Sequence, residues 1–158
     1  LLRKALAVNR IKNVSILPYG LGSEDAEFAL NMPLKRSGSI GFGLSFIGDA
    51  AQVPRQILSE TIRVRRIDDI VEELGVKRLD LIKADIEGSE MRMLVGAEAT
   101  LRRFRPALFL EVTDTTLGRQ GDNAEALALF LRRLGYSPAG GWTTDGLQGD
   151  ILFVAQDR

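Results

Sequence analysis

Three carboxylates fall within six residues in Asp85-Ile86-Glu87-Gly88-Ser89-Glu90. The segment ends a strand-like run, Leu79 to Asp85, and leads into apolar residues at helical spacing, so it reads as a strand-to-helix turn. Carboxylates placed there can accept a proton from a hydroxyl or orient a polar ligand, and Gly88 lets a backbone approach closely. They can equally cap the helix and complement its positive end, a structural role that suits Glu90 in the first turn. Two further turns hold comparable positions. Gly20-Leu21-Gly22 follows Val14 to Tyr19, and Glu111 to Asp114 ends the run Ala107 to Val112. In an open α/β sheet, ligands bind beyond the carboxyl ends of the strands. Gly20, Leu21, Gly22, Asp85, Glu87 and Glu111 are therefore the candidate site residues. Asp85, Glu87 and Glu111 could also hold Mg²⁺ through oxygen alone, although their spacing matches no EF-hand loop.

Composition narrows the chemistry. The 158 residues include no Cys and no His. That excludes thiolate nucleophiles, Cys-ligated metals, His proton shuttles and Ser-His-Asp triads, and with them most hydrolase mechanisms. Lys plus Arg and Asp plus Glu are 21 each, so there is no basic excess to bind nucleic acid or an anionic membrane surface. No apolar run is long enough for a membrane span. The first residues, LLRKALAV, lack the basic head and cleavage site of a signal peptide, which points to a cytoplasmic chain. Arg makes up 16 of the 21 basic residues, a hint of a bacterial source.

The elements that must position these residues alternate. Residues 1–12 read as a helix with Leu2, Ala5 and Leu6 on one side. Val14 to Tyr19 reads as a strand with Pro18 at its end, and residues 26–34 as an extended piece. Residues 35–59 carry many Gly and Ser and read as one flexible insert within a single domain spanning residues 1–158. Ile62 and Val64 alternate with Arg63 and Arg65, a strand wet on one face, and the Arg63, Arg65, Arg66 run reads as a solvated surface. Ile67, Ile70, Val71 and Leu74 mark a helix that stops at Gly75. Met91, Leu94, Val95 and Leu101 mark another of about four turns. Ala107 to Val112 is apolar enough for a strand covered on both faces, and burial of the middle strand would give Lys83 a structural ion pair. Leu127, Phe130, Leu131 and Leu134 form a helix entered at Asp122 or Asn123 and left at Gly135. Trp142 reads as a packing residue. The ending, a helix and then two strands joined by a turn, predicts a reversed final strand. The whole reads as an α/β sheet of mostly parallel strands.

Several segments in order resemble the FkbM family of S-adenosylmethionine-dependent methyltransferases. They are Ile67-Asp68-Asp69-Ile70, Leu79-Asp80-Leu81-Ile82-Lys83-Ala84-Asp85-Ile86-Glu87-Gly88-Ser89-Glu90, Leu94-Val95-Gly96-Ala97, Arg105-Pro106 and Leu110-Glu111-Val112. Weaker likeness extends to Asn13-Val14, Gly20-Leu21-Gly22-Ser23 and Ser37-Gly38-Ser39-Ile40.

The resemblance implies a Rossmann-like methyltransferase sheet ordered 3-2-1-4-5-7-6 with an antiparallel seventh strand. Val14–Tyr19 would be its third strand, Leu79–Asp85 its fourth and Ala107–Val112 its fifth. No Gly-rich turn precedes Leu1, so the first two strands of that sheet are expected to be missing from these residues. The implied activity is S-adenosylmethionine-dependent O-methylation of a hydroxyl on a sugar or polyketide-like small molecule. Asp85 and Glu87 would work at the methyl site, Asp85 also against the cofactor, with Glu111 on the acceptor side. Gly20, Leu21 and Gly22 would offer backbone contacts near the adenine. Unpaired sheet edges would favour a homo-oligomer. A non-catalytic interaction domain and a Mg²⁺-dependent carboxylate enzyme are the alternative readings.

Overall fold

A computed structural model describes residues 1–34, 45–47, 57–142 and 147–156. The expected insert at 35–59 lies mostly outside these residues. Its described parts are Ser45 and residues of two strands.

The chain opens with α1 (Leu2–Val8), which buries none of its residues. Val14–Tyr19 forms no strand, contrary to expectation. A strand needs a partner ladder, and Pro18 removes one donor from a segment whose side chains stay largely exposed. Pairing begins only at β1 (Gly20–Leu21), followed by β2 (Ala26–Pro33), β3 (Phe46–Ile47) and β4 (Ile57–Arg65). These four make one sheet in the order β1-β4-β2-β3, with β1 parallel to β4 and the other pairs antiparallel.

The chain continues through α2 (Ile67–Glu73), β5 (Leu81–Ala84), α3 (Glu90–Val95), α4 (Glu98–Phe104) and β6 (Ala107–Val112). Next come α5 (Asp114–Leu117), a single 3₁₀ turn at Gly118–Gln120, α6 (Ala124–Arg133), β7 (Tyr136–Pro138) and β8 (Gly149–Ala155). The second sheet is ordered β5-β6-β8-β7, with β5 parallel to β6 and β8 antiparallel to both of its neighbours. This matches the order 4-5-7-6 and the reversed last strand that the resemblance implies. Asn123 caps α6 by accepting the Ala126 N–H at 2.8 Å, and Gly135 ends it at φ +80°.

Alternation along β6 sends Leu108, Leu110 and Val112 to one face, where they meet Ile82 and Ala84 of β5 and Phe153 of β8. Helices α3 to α6 cover this face with Met93, Leu94, Leu101, Leu117, Leu127 and Leu131. Each fully buried Leu contributes roughly 1.5–3 kcal/mol. The other face carries Leu81, Lys83, Phe109 and Leu152, partly or well exposed. The second sheet is thus covered on one side by the described residues, which corrects the two-sided reading of β6. Lys83 is correspondingly exposed and lies 3.7 Å from Asp85, rather than being a buried ion pair.

The expected four-turn helix is two helices. Between them the Gly96 carbonyl accepts the Asp68 N–H at 3.0 Å, and Gly96 packs against the backbone of Gly22. Asp68 caps α4 from a distance: its carboxylate accepts from Thr100 N at 2.8 Å and Ala99 N at 3.3 Å, and Arg66 pairs with it at 2.9 Å. The arginine run is solvated at Arg63, as the alternation suggests, but Arg65 is buried and Arg66 half-buried, and all three are paired with carboxylates. Arg63 pairs with Asp25 at 2.8 Å, while Arg65, only 9% exposed, pairs with Glu73 at 2.7 Å and lies over the Tyr19 ring. Trp142 packs at the edge of the Phe153 ring, with Arg132 over its face. No helix among the described residues is long and apolar enough to cross a membrane.

Candidate active site

The two sheets meet at a cavity of about 570 Å³. Gly20 and Leu21 of β1 form part of one wall with Leu30, Ile47 and Ile62. Facing them are Asp85, Ile86, Glu87 and Ser89 from the turn after β5, and Glu111 near the end of β6. Five of the six candidate residues thus come from three distant segments to one cavity. The sixth, Gly22, lies beside it and lines a smaller adjoining cleft. Its N–H is given to the Arg65 carbonyl at 3.1 Å, so that donor is engaged in holding β1 to β4. Ile47 of this wall is tied to the 3₁₀ turn, since its carbonyl accepts the Gln120 side-chain amide.

The turn after β5 is built to project carboxylates. Glu87 sits at φ +54° and Gly88 at φ +100°, two successive left-handed residues. For a residue with a Cβ, such a φ costs about 1–2 kcal/mol, so the surroundings must hold Glu87 in place. Part of the restraint is Arg119, whose guanidinium lies 3.5 Å from the Glu87 carboxylate. The rest is Glu90. Its carboxyl is fully buried, accepts the Ile86 N–H at 2.9 Å, and so ties the first turn of α3 back across the loop. Its second oxygen has no hydrogen-bond partner among the described residues. The sequence offered only a common first-turn Glu here; the burial that makes it a clamp comes from packing.

Two carboxyls are pushed above the ordinary carboxylate range. For Glu90, burial is the main cause, opposed by the backbone N–H groups around it. For Glu111, burial comes first, and the negative charges of Asp85, Glu87, Glu90 and Asp150 add to it. A raised folded-state pKa means the fold holds the proton more tightly than the unfolded chain does. The stability from Glu90 is therefore complete below the ordinary Glu range and is lost as pH rises through its raised folded value. Glu90→Gln, which resembles the protonated acid, is expected to flatten this dependence. Urea unfolding of both proteins from about pH 4 to 8 checks it. The variant should gain on the wild type as pH rises, and parallel curves would show that Glu90 carries no such load.

Among the described residues, no three acidic side chains gather closely enough to hold a metal ion. Asp85, Glu87 and Glu111 share a cavity without forming an oxygen cage, so the Mg²⁺ reading gains nothing from the geometry.

The arrangement can bind a polar or cationic group at its acidic wall, bury an apolar part against Leu21, Leu30, Ile47 and Ile62, and take up a proton. Residues 5–138 match the family profile described as the methyltransferase FkbM domain. The chain belongs to the FkbM methyltransferase domain family. The match includes every residue lining the cavity. Among curated proteins, the AMB antimetabolite synthetase AmbE of Pseudomonas aeruginosa is 41% identical over 97 residues, which is 61% of this chain. The aligned part is only 4% of AmbE. No solved structure matches the chain. Methyltransferase chemistry is accordingly what the FkbM membership assigns to the family's fold, and the cavity between the sheets is where this member concentrates its carboxylates.

Proposed function

We propose that the chain belongs to an S-adenosylmethionine-dependent O-methyltransferase acting on a hydroxyl of a sugar or polyketide-like small molecule. The observation that carries this reading is the convergence of Gly20, Leu21, Asp85, Glu87 and Glu111 on one cavity. Its volume is within the usual range for small-molecule sites, roughly 300–1,000 Å³. The donor set fits the cofactor: three carboxylates suit a cationic sulfonium, and the aliphatic wall suits the rest of the molecule. When bound, S-adenosylmethionine supplies a methyl group already activated on positively charged sulfur. Asp85 and Glu87 would hold the cofactor and orient the acceptor, and Gly20 and Leu21 would offer backbone at the opposite wall. Gly22 would act one step back, by fixing β1.

Glu111 is the best-placed base. Its raised pKa brings it closer to neutrality, where a carboxylate accepts a hydroxyl proton more effectively. An activated leaving group leaves alignment as the protein's main task, so the absence of His is no obstacle. The proposal extends to the sheet: β5 is an edge strand among the described residues, and that edge is where further strands of a methyltransferase sheet would pair. The likeness to an antimetabolite synthetase supports a setting in small-molecule biosynthesis.

Transfer of labelled methyl from S-adenosylmethionine to hexoses and hydroxylated lactones tests the reading. Label should appear on a hydroxyl, and Asp85→Asn or Glu111→Gln should each lower the rate by about 100-fold. Transfer that survives both substitutions, or a folded chain that labels none of these acceptors, would overturn it.

A further inference from the structure

Two exposed apolar surfaces of this chain carry opposite charge. The first is the N-terminal arm, residues 1–19. Leu1, Leu2, Val8, Ile11, Val14 and Leu17 are all exposed, and α1 buries nothing. The arm holds Arg3, Lys4, Arg10 and Lys12, with no acidic residue before Glu24. The second is the uncovered face of the second sheet. Leu81 is 54% exposed and Leu152 40% exposed. Phe109 stands between the two strands that carry them, opposite Leu152 in the ladder. This face ends in acid: Glu111 lies opposite Asp150, and Asp85 follows β5, while Lys83 is the one basic residue within β5, β6 and β8.

We propose that two copies of this chain form a two-fold dimer in which the arm of each lies across the uncovered sheet face of the other. Apolar side chains of this size leave contiguous exposed surface only where something covers them. The arm and the face supply each other's needs: a basic apolar segment for an apolar surface with an acidic end. The arm is not packed down on its own copy, since α1 has no buried residue and Ile11, Val14 and Leu17 are exposed as well. A reciprocal exchange covers both surfaces in both copies, doubles the contact and leaves no unmatched surface to propagate an open chain of subunits. The inference is independent of the methyl-transfer reading. It also adds to the site, because Asp85 and Glu111 rim the cavity and an arm lying over them would wall it.

Light scattering on the eluting 158-residue chain tests this at low ionic strength and at about 1 M salt, where charge attraction is screened within a few ångström. The expected result is twice the chain mass at low salt, with dissociation at least tenfold weaker in concentration terms at low salt than at high salt. Arg10→Glu with Lys12→Glu on the arm, or Leu81→Glu with Leu152→Glu on the face, should each return a monomer that keeps the far-ultraviolet circular dichroism of the folded chain and melts at a temperature independent of its concentration. Adding Asp150→Lys to the arm variant should restore part of the dimer. A monomer at every concentration and salt overturns the proposal, including one whose arm amides are protected from hydrogen exchange by folding back on its own sheet. So does a dimer that neither pair of substitutions disturbs.

Discussion

Gly88→Ala should lower the melting temperature by roughly 10 °C. The backbone at Gly88 has φ +100°, and a Cβ there would lie 2.5 Å from the Thr116 carbonyl carbon and closer still to its oxygen. Both faults must be accommodated at once. Strain at such a φ costs about 1–3 kcal/mol, and forcing a methyl into packed backbone costs a similar amount. The sum is about 2–6 kcal/mol, and for a chain of this length each kcal/mol shifts the midpoint by roughly 2–4 °C. Thr116 cannot simply yield, because Thr113 and Thr116 close α5 on one another through their hydroxyls at 2.6 Å. Thermal unfolding followed by circular dichroism gives the answer, and a loss under about 2 °C would mean that the turn is far softer than its geometry implies.

Gly96→Ala should cost about 2–3 kcal/mol by a different route. Its φ of −72° suits any residue, so conformational strain contributes nothing. The obstacle is steric alone: a Cβ would lie 3.0 Å from the Gly22 carbonyl carbon, closer to the oxygen, and 3.4 Å from the Arg66 Cα. All three are backbone atoms, which move only with their elements. Gly22 follows β1, and β1 forms part of the cavity wall, so the substitution should widen the cavity as well as destabilise the fold. Gly96→Ala should therefore weaken ligand binding at temperatures where the protein is still fully folded. Gly75→Ala is the control for a glycine whose Cβ would meet nothing, although its φ of +59° carries a modest strain of its own. Equal effects of the two on binding would remove the link between Gly96 and the cavity.

The parts of this fold that could be read from the chain are those decided locally. Leu79 to Asp85 shows an apolar run ending in acid, and β5 with its carboxylate turn follows. The turn-rich link before Ile151 announces a reversed strand, and β8 is antiparallel to β6 and β7. The misread parts were decided by distant partners. Met91, Leu94, Val95 and Leu101 keep helical spacing straight through Gly96, and only the carbonyl of Gly22, more than seventy positions earlier, explains the break there. Val14–Tyr19 has the residues of a strand and, among the described residues, no neighbour to pair with. The antiparallel ladder of β2 with β4 joins Ala26 to Val64 across a long intervening segment, and no periodicity reports such a pairing.

The site divides the same way. Asp85, Glu87 and Glu111 stood out as carboxylates at strand ends, and Gly20 and Leu21 as a turn after an extended run. Their meeting at one cavity depends on how two sheets dock, which no single segment encodes. Glu90 went unnoticed as a clamp because a first-turn Glu is ordinary, and its complete burial is a property of the assembled core. Arg65 was misjudged for the matching reason. Alternation placed it on a strand face, while Glu73 and Tyr19, which turn that face into an anchor, come from other elements.

Calorimetric titration of S-adenosylhomocysteine into the 158-residue chain tests most directly whether the cavity between the sheets is the cofactor site. The expected result is micromolar binding that Asp85→Ala weakens at least about tenfold, a loss near 1.4 kcal/mol. A folded chain that takes up no ligand, or that binds it equally well after Asp85→Ala, would contradict that assignment.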